Sequence, residues 1–138
     1  MSPETIIERI CLRQLAVSPA IALPDHLSEV KQFDVILVEI ENKGGSKGYA
    51  DALLLAGTSP ETLQQAWMLC CTLGDIAIGM KPEEAIRLFL QSHSAAPFMV
   101  TALVTAVELS AGLLYFSEYF CVLLIGVIDG SNVASADG

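Results

Sequence analysis

Phe33-Asp34-Val35-Ile36-Leu37-Val38-Glu39-Ile40-Glu41-Asn42-Lys43-Gly44-Gly45-Ser46-Lys47-Gly48-Tyr49-Ala50-Asp51-Ala52-Leu53-Leu54-Leu55 alternates, turns and alternates again. In an extended chain successive side chains point to opposite faces. Phe33, Val35, Leu37 and Glu39 therefore share one face, and Asp34, Ile36, Val38 and Ile40 share the other. Asn42-Lys43-Gly44-Gly45 suits the turn, because Asn and Gly tolerate positive φ. Gly48 to Leu55 follows as a second strand, so the stretch predicts an antiparallel hairpin.

Upstream, Thr5 to Val17 alternates more loosely, as a strand with one face wetter than the other. Ser18 to Gln32 has no periodicity and contains Pro19, Pro24, Asp25, His26 and Ser28. It reads as a loop of about fifteen residues, long enough to serve as a lid.

Downstream the period changes from two to that of a helix. Ser59-Pro60-Glu61 predicts a helix start, with Ser59 as cap, Pro60 where no amide is needed and Glu61 at the positive end of the dipole. Leu63, Ala66, Trp67, Cys70 and Leu73 then recur at helical spacing. Gly79 breaks the run. Lys81-Pro82-Glu83-Glu84 opens a second, shorter helix with Ala85, Ile86, Phe89 and Leu90 inward, and His93 and Ser94 are stop and cap positions. A third helix begins near Ala95 or Pro97 and reaches about Ala111. Its polar residues Thr101, Thr105 and Glu108 form a single stripe, so it should be central and covered on several sides. Gly112 ends it. Tyr119 to Ile128 then reads as a buried strand, and Asp129 to Gly138 as a frayed tail. The fold class expected is α+β: a three-stranded antiparallel sheet followed by a three-helix bundle, with one extra C-terminal strand.

Composition narrows the function classes. The 138 residues suit one domain with an ordinary core, and 53% hydrophobic against 17% charged residues argues against disorder. So apolar a chain meets a partner over much of its surface or inserts in a membrane. Seven basic against sixteen acidic residues give a net charge of -9. With few Lys or Arg and no cluster of them, nucleic acid is not an expected partner. No signal peptide is seen, because Glu4, Glu8 and Arg9 interrupt the N-terminus. Leu113 to Ile128 falls short of the ~20 residues that span a bilayer and includes Ser117 and Glu118, so the expectation is a cytoplasmic chain without a membrane span. Cys11, Cys70, Cys71 and Cys121 form no C-x-x-C pair and read as free thiols in a reducing compartment.

The search for chemistry finds no reaction centre. His26 and His93 have no nucleophile placed beside them by the sequence. Glu83 and Glu84 read as helix-start charge, while Asp51 and Asp129 stand alone, so no metal cluster forms. Gly44-Gly45-Ser46-Lys47-Gly48 matches neither a dinucleotide fingerprint nor a P-loop, and its glycines are turn residues first. Met68, Met80, Met99 and Trp67 sit at core spacing. Catalytic residues, metal ligands and a cofactor of the chain's own are all expected to be absent.

The order of elements and several short motifs resemble the N-terminal capping domain of the enolase superfamily, in its mandelate racemase and muconate-lactonizing branch. Val38-Glu39-Ile40-Glu41, the glycine turn and Gly48-Tyr49-Ala50-Asp51-Ala52 resemble an extended V-x-V-E-like strand, a turn and G-[WY]-G-E-A. Ala50 stands for the second glycine and Asp51 for the glutamate. Thr58-Ser59-Pro60-Glu61-Thr62 resembles the opening of the first helix, and Ile78-Gly79-Met80-Lys81-Pro82-Glu83-Glu84 the I-G-x-x-P-E entry to the second. Ser94-Ala95-Ala96-Pro97-Phe98 through Ala102, Val107, Glu108 and Leu109 resembles the alanine-rich third helix, without the usual A-L-W-D ending.

This resemblance covers roughly residues 5 to 128 and implies a capping domain over residues 1–112, with 113–138 as the first strand of a (β/α) barrel and a tail. It implies two loops that close over a small carboxylate substrate, at Ser18 to Gln32 and Ala52 to Gly57. Leu23, Asp25, His26, Leu53 and Leu54 are the substrate-facing candidates. The reaction implied is abstraction of a proton α to a carboxylate, with Mg²⁺ stabilising the enolate. Base and metal ligands belong to the barrel; no K-x-K occurs here, so none is assigned to this chain and activity alone is not expected. The partners implied are the missing barrel domain and a second copy of the chain in a homo-oligomer. The alternatives are a standalone binding or assembly module that reuses the capping fold, and membrane attachment through Leu113 to Ile128.

Overall fold

A computed structural model describes residues 3–18 and 33–112. A short 3₁₀ turn, Pro3–Thr5, leads into β1 (Ile7–Val17), β2 (Phe33–Asn42) and β3 (Lys47–Leu54); α1 (Leu63–Ala77), α2 (Pro82–Leu90) and α3 (Pro97–Ser110) follow. The strands form one antiparallel sheet in the order β1-β2-β3. The expected α+β fold, three strands and then three helices, is the one observed. Residues 19–32 and the extra strand expected at 119–128 lie outside the described residues.

The face assignment made from alternation holds in detail. Ile36, Val38 and Ile40 are buried at 0–1% exposure, with Ile7, Ala52 and Leu54 beside them on the same side of the sheet. The helices cover this side, contributing Ala66, Cys70, Phe89, Met99, Leu103, Ala106 and Val107 to one continuous core. The opposite side carries Arg9, Cys11, Arg13, Glu39, Glu41, Lys47, Tyr49 and Asp51, in line with the strand registers. At its turn end Arg9 donates to the Glu41 carboxylate, and Lys47 Nζ lies 3.5 Å from Glu39. The hydrogen bond and charge of Glu41 raise the Arg9 pKa further above its ordinary value.

α3 is the central helix that its apolar surface predicts. Met99, Val100, Leu103, Ala106 and Val107 have no exposure, and Thr105, read as part of a polar stripe, is buried as well. α3 approaches β3 backbone to backbone at Gly48. A Cβ built there would lie 2.0 Å from the Ala106 carbonyl oxygen and 2.5 Å from the Ser110 nitrogen. Gly48 is thus a packing glycine inside a strand, where the sequence suggested a turn residue.

The helix starts differ from expectation in one instructive way. The cap of α1 is Thr62, not Ser59. Thr62 Oγ1 accepts from the Gln65 amide at 3.1 Å, and Gln65 Oε1 accepts from the Thr62 amide at 2.9 Å, completing a capping box. Thr62→Ala should lower stability by about 1 kcal/mol, read as a shift in the denaturant midpoint with an unchanged slope. Leu90, expected inward, is 52% exposed, and Met68, expected in the core, is 61% exposed. Leu90 sits at the edge of its amphipathic face, where spacing alone does not fix which side is covered, whereas Met68 lies on the side of α1 opposite the buried Ala66, Cys70, Leu73 and Ala77.

Candidate functional site

The candidate site is the segment that leaves β3 and enters α1, residues 53–62. Leu53 and Leu54 are neighbours in an extended strand and so point to opposite sides. Leu53 faces outward at 44% exposure, whereas Leu54 sits in the core at 2%. Leu53 is therefore the one of the pair that can meet a ligand without unfolding the strand end. Leu23, Asp25 and His26 lie outside the described residues.

Beyond Leu54 the chain folds into a tied loop. The amides of Thr58 and Ser59 both donate to the Leu55 carbonyl at 2.9 Å, and Gly57 takes φ +78°. That left-handed conformation suits glycine, which lacks a Cβ. Ser59 Oγ accepts from the Leu55 amide at 3.2 Å and lies within hydrogen-bond distance of the Leu55 and Glu61 carbonyls. Ser59 thus holds a loop together and caps no helix. Ala56, Gly57 and Thr58 remain exposed at its tip.

The far end of the loop is anchored by Glu61, which is 1% exposed. Its Oε2 accepts from the Met99 amide at 2.8 Å, at the start of α3. Oε1 is buried with no hydrogen-bond partner. A carboxylate at the positive end of a helix is favourable, and α3 needs one. Its N-cap is Ala96, which has no side-chain acceptor. Ser94, expected as the cap, lies two residues before the observed N-cap Ala96, and no side chain next to the helix start caps it. The partner, 38 residues upstream, was legible only as local helix charge.

At the opposite end of the sheet, Asn42 ties the hairpin turn to the end of α3. Its Nδ2 donates to the Ser110 carbonyl at 2.9 Å and its Oδ1 accepts from the Ser46 amide at 3.0 Å. A polar cleft of about 350 Å³ opens there, lined by Glu4, Ser46, Lys47 and Ser110 among others.

Among the described residues no group of three or more His, Cys, Asp or Glu side chains is placed to hold a metal ion. His93 lies exposed in the turn after α2. Burial, then the neighbouring Cys71, pushes the Cys70 thiol up to about 12. Its thiolate is scarce at pH 8, and thiolate is the reactive form. Cys11 and Cys71, both partly exposed, should label with a maleimide at pH 8 well before Cys70, with mass-mapped peptides as the readout. Among the described residues no helix is long and apolar enough to cross a membrane.

The fold of the described residues is similar to part of solved dipeptide epimerases and mandelate racemase/muconate lactonizing proteins. A dipeptide epimerase from Enterococcus faecalis V583, solved with Mg and the dipeptide L-Leu-L-Tyr, superposes with a TM-score of 0.63 at 22% identity, over 73% of this chain and 29% of that one. A mandelate racemase/muconate lactonizing protein from Herpetosiphon aurantiacus gives 0.60 at 16% identity, over 77% and 29%. A dipeptide epimerase from Cytophaga hutchinsonii, with Mg and D-Ala-L-Val, gives 0.60 at 17% identity, over 74% and 28%. The chain thus spans under a third of the length of these solved proteins. No protein-family model and no curated protein matches it.

Proposed function

We propose that this chain is the capping and substrate-selecting part of a Mg-dependent isomerase or epimerase acting on a small carboxylate, with dipeptides as the leading class. The observation that carries this reading is the likeness to a dipeptide epimerase that holds Mg and a dipeptide. In this reading the reaction is proton abstraction α to a carboxylate, and the base and metal ligands come from a barrel domain. Residues 113–138 supply the start of that barrel, and the whole enzyme is cytoplasmic.

The role of the cap is to choose the substrate and shield it from water. The loop after β3 suits that role. It is held rigid by Ser59 at its neck and by Glu61 at its exit, so Leu53 and the tip residues are presented in a fixed position. Rigid presentation limits the entropy lost on binding. Leu23, Asp25 and His26, from the other loop, complete the selecting surface.

The test is a graft. Residues 1–112 replace the corresponding cap of the Enterococcus faecalis enzyme, and kcat/KM is measured across L,L-dipeptides with the wild-type graft and with Leu53→Ala. The reading predicts epimerisation by the graft and a change in the preference among dipeptide side chains of about tenfold, the order expected for a lost apolar contact. An active graft whose preference ignores Leu53 would remove this residue from the selecting surface.

A further inference from the structure

The side of the sheet turned away from the helices changes character along its strands. Near the hairpin turn it carries Arg9, Glu39, Glu41 and Lys47, held in ion pairs. In the middle, Arg13 and Asp51 stand at the two edges of one row, with Leu37 between them. Beyond that row, among the described residues, every outward side chain is apolar. Leu15, Val35 and Leu53 form one row across β1, β2 and β3, and Val17 pairs with Phe33 in the last. Leu15 and Val17 are 43% and 42% exposed, and Val35 lies between Leu15 and Leu53 at 8%. Scattered surface leucines are ordinary, whereas a contiguous apolar patch calls for an occupant. This one lies at the end of the sheet where β3 runs into the loop of residues 53–62, and Leu53 belongs to both.

The size of the patch says what kind of occupant fits. Three strands and two rows cover roughly 14 by 13 Å, or under ~200 Å². A stable protein complex buries ~800 Å² on each partner, about four times as much. One large apolar side chain buries about 150–250 Å², which matches.

We propose that this patch receives an apolar side chain of the substrate, so that Leu15 and Val35, together with Leu53, select apolar over charged dipeptides. The inference rests on the capping role and narrows its substrate class. A charged side chain laid on these rows would give up water for hydrocarbon and find no counter-ion among them. Arg13 and Asp51 lie one row away, about 7 Å along the strands and about 10 Å from each other. Being of opposite sign at opposite edges, they bound the patch and favour neither charge. An apolar side chain gains by leaving water there. Leu15 escapes notice in the sequence because it belongs to a strand and not to either loop.

The graft of residues 1–112 onto the Enterococcus faecalis barrel tests this, since the grafted part holds one continuous core from Ile7 to Val107. The ratio of kcat/KM values is measured for Leu, Glu and Lys at X, in L-Ala-L-X and in L-X-L-Ala. In at least one series Leu should exceed both Glu and Lys by about tenfold or more. In that series Leu15→Arg should raise Glu relative to Leu by about tenfold, and Leu15→Glu should raise Lys instead. Opposite shifts from two changes at one exposed position cannot come from damage to the fold, which lowers all substrates together. An active graft without the preference for Leu in either series, or ratios that neither variant moves, overturns the inference and leaves the capping role standing. A graft inactive on every dipeptide overturns the capping role and this inference with it.

Discussion

Gly48→Ala should destabilise the domain by at least ~3 kcal/mol, beyond the usual range for one extra methyl group in a core. The reason is what the new Cβ would strike. Overpacking is tolerable when a flexible side chain can swing aside, but here the obstacles are the Ala106 carbonyl and the Ser110 amide of α3. To make room the whole helix must lift off β3, and α3 carries much of the buried core. The Asn42–Ser110 tie would stretch with it. Since small domains are stable by about 5–15 kcal/mol in total, the melting temperature should fall by on the order of 10 °C or more. Gly45→Ala is the control. Gly45 has φ +88° and open space around it, so it incurs only the left-handed conformational penalty of roughly 1–2 kcal/mol. Equal losses at the two positions would mean that α3 does not contact β3 as described.

Glu61→Ala is expected to lose about 2–4 kcal/mol. It removes a charge-assisted hydrogen bond, strands the Met99 amide without an acceptor and leaves a void at a fully buried position. Glu61→Gln separates the contributions. It keeps the volume and one acceptor oxygen for Met99 but discards the charge that complements the start of α3, worth about 1 kcal/mol. It also introduces an amide donor where Oε1 now has no partner. The expected order of stability is Glu, then Gln, then Ala, from chemical denaturation. Hydrogen exchange should show the same order locally, with faster exchange in the first turn of α3 and in residues 55–61. In the proposed reading that local readout links stability to function, because the same anchor would position the selecting loop.

The contrast between these two residues and the hairpin shows what a single sequence exposes. The strand faces were legible because the alternation from Phe33 to Ile40 is local, and burial follows it from Ile36 to Ile40, while Val35 on the outward face is buried too. The existence and order of the helices were legible for the same reason, through spacing, proline and glycine. The family resemblance drew on that order, and the fold it implied is matched by the superpositions. What the sequence concealed is long-range. Gly48 reads as a turn residue until α3 is laid on it, and Glu61 reads as helix-start charge until α3 is seen to lack a cap. Ser59 and Thr62 exchanged roles because both are good caps three residues apart, and only the actual hydrogen bonds decide between them. Leu53 and Leu54 were paired as candidates by position, and the pleat separates them into one outward and one core residue.

If this chain selects a substrate for chemistry performed by a barrel, the decisive readout is exchange of the substrate α-proton with solvent. It is followed by NMR in D₂O with Mg²⁺ and L-Leu-L-Tyr. Three proteins are compared: the chain alone, the epimerase barrel without its cap, and the barrel carrying residues 1–112. The capping role predicts exchange in the third far above that in the first two. Comparable exchange in the chain alone would contradict it by placing the base in these 138 residues, and a graft no better than the bare barrel would deny the capping role.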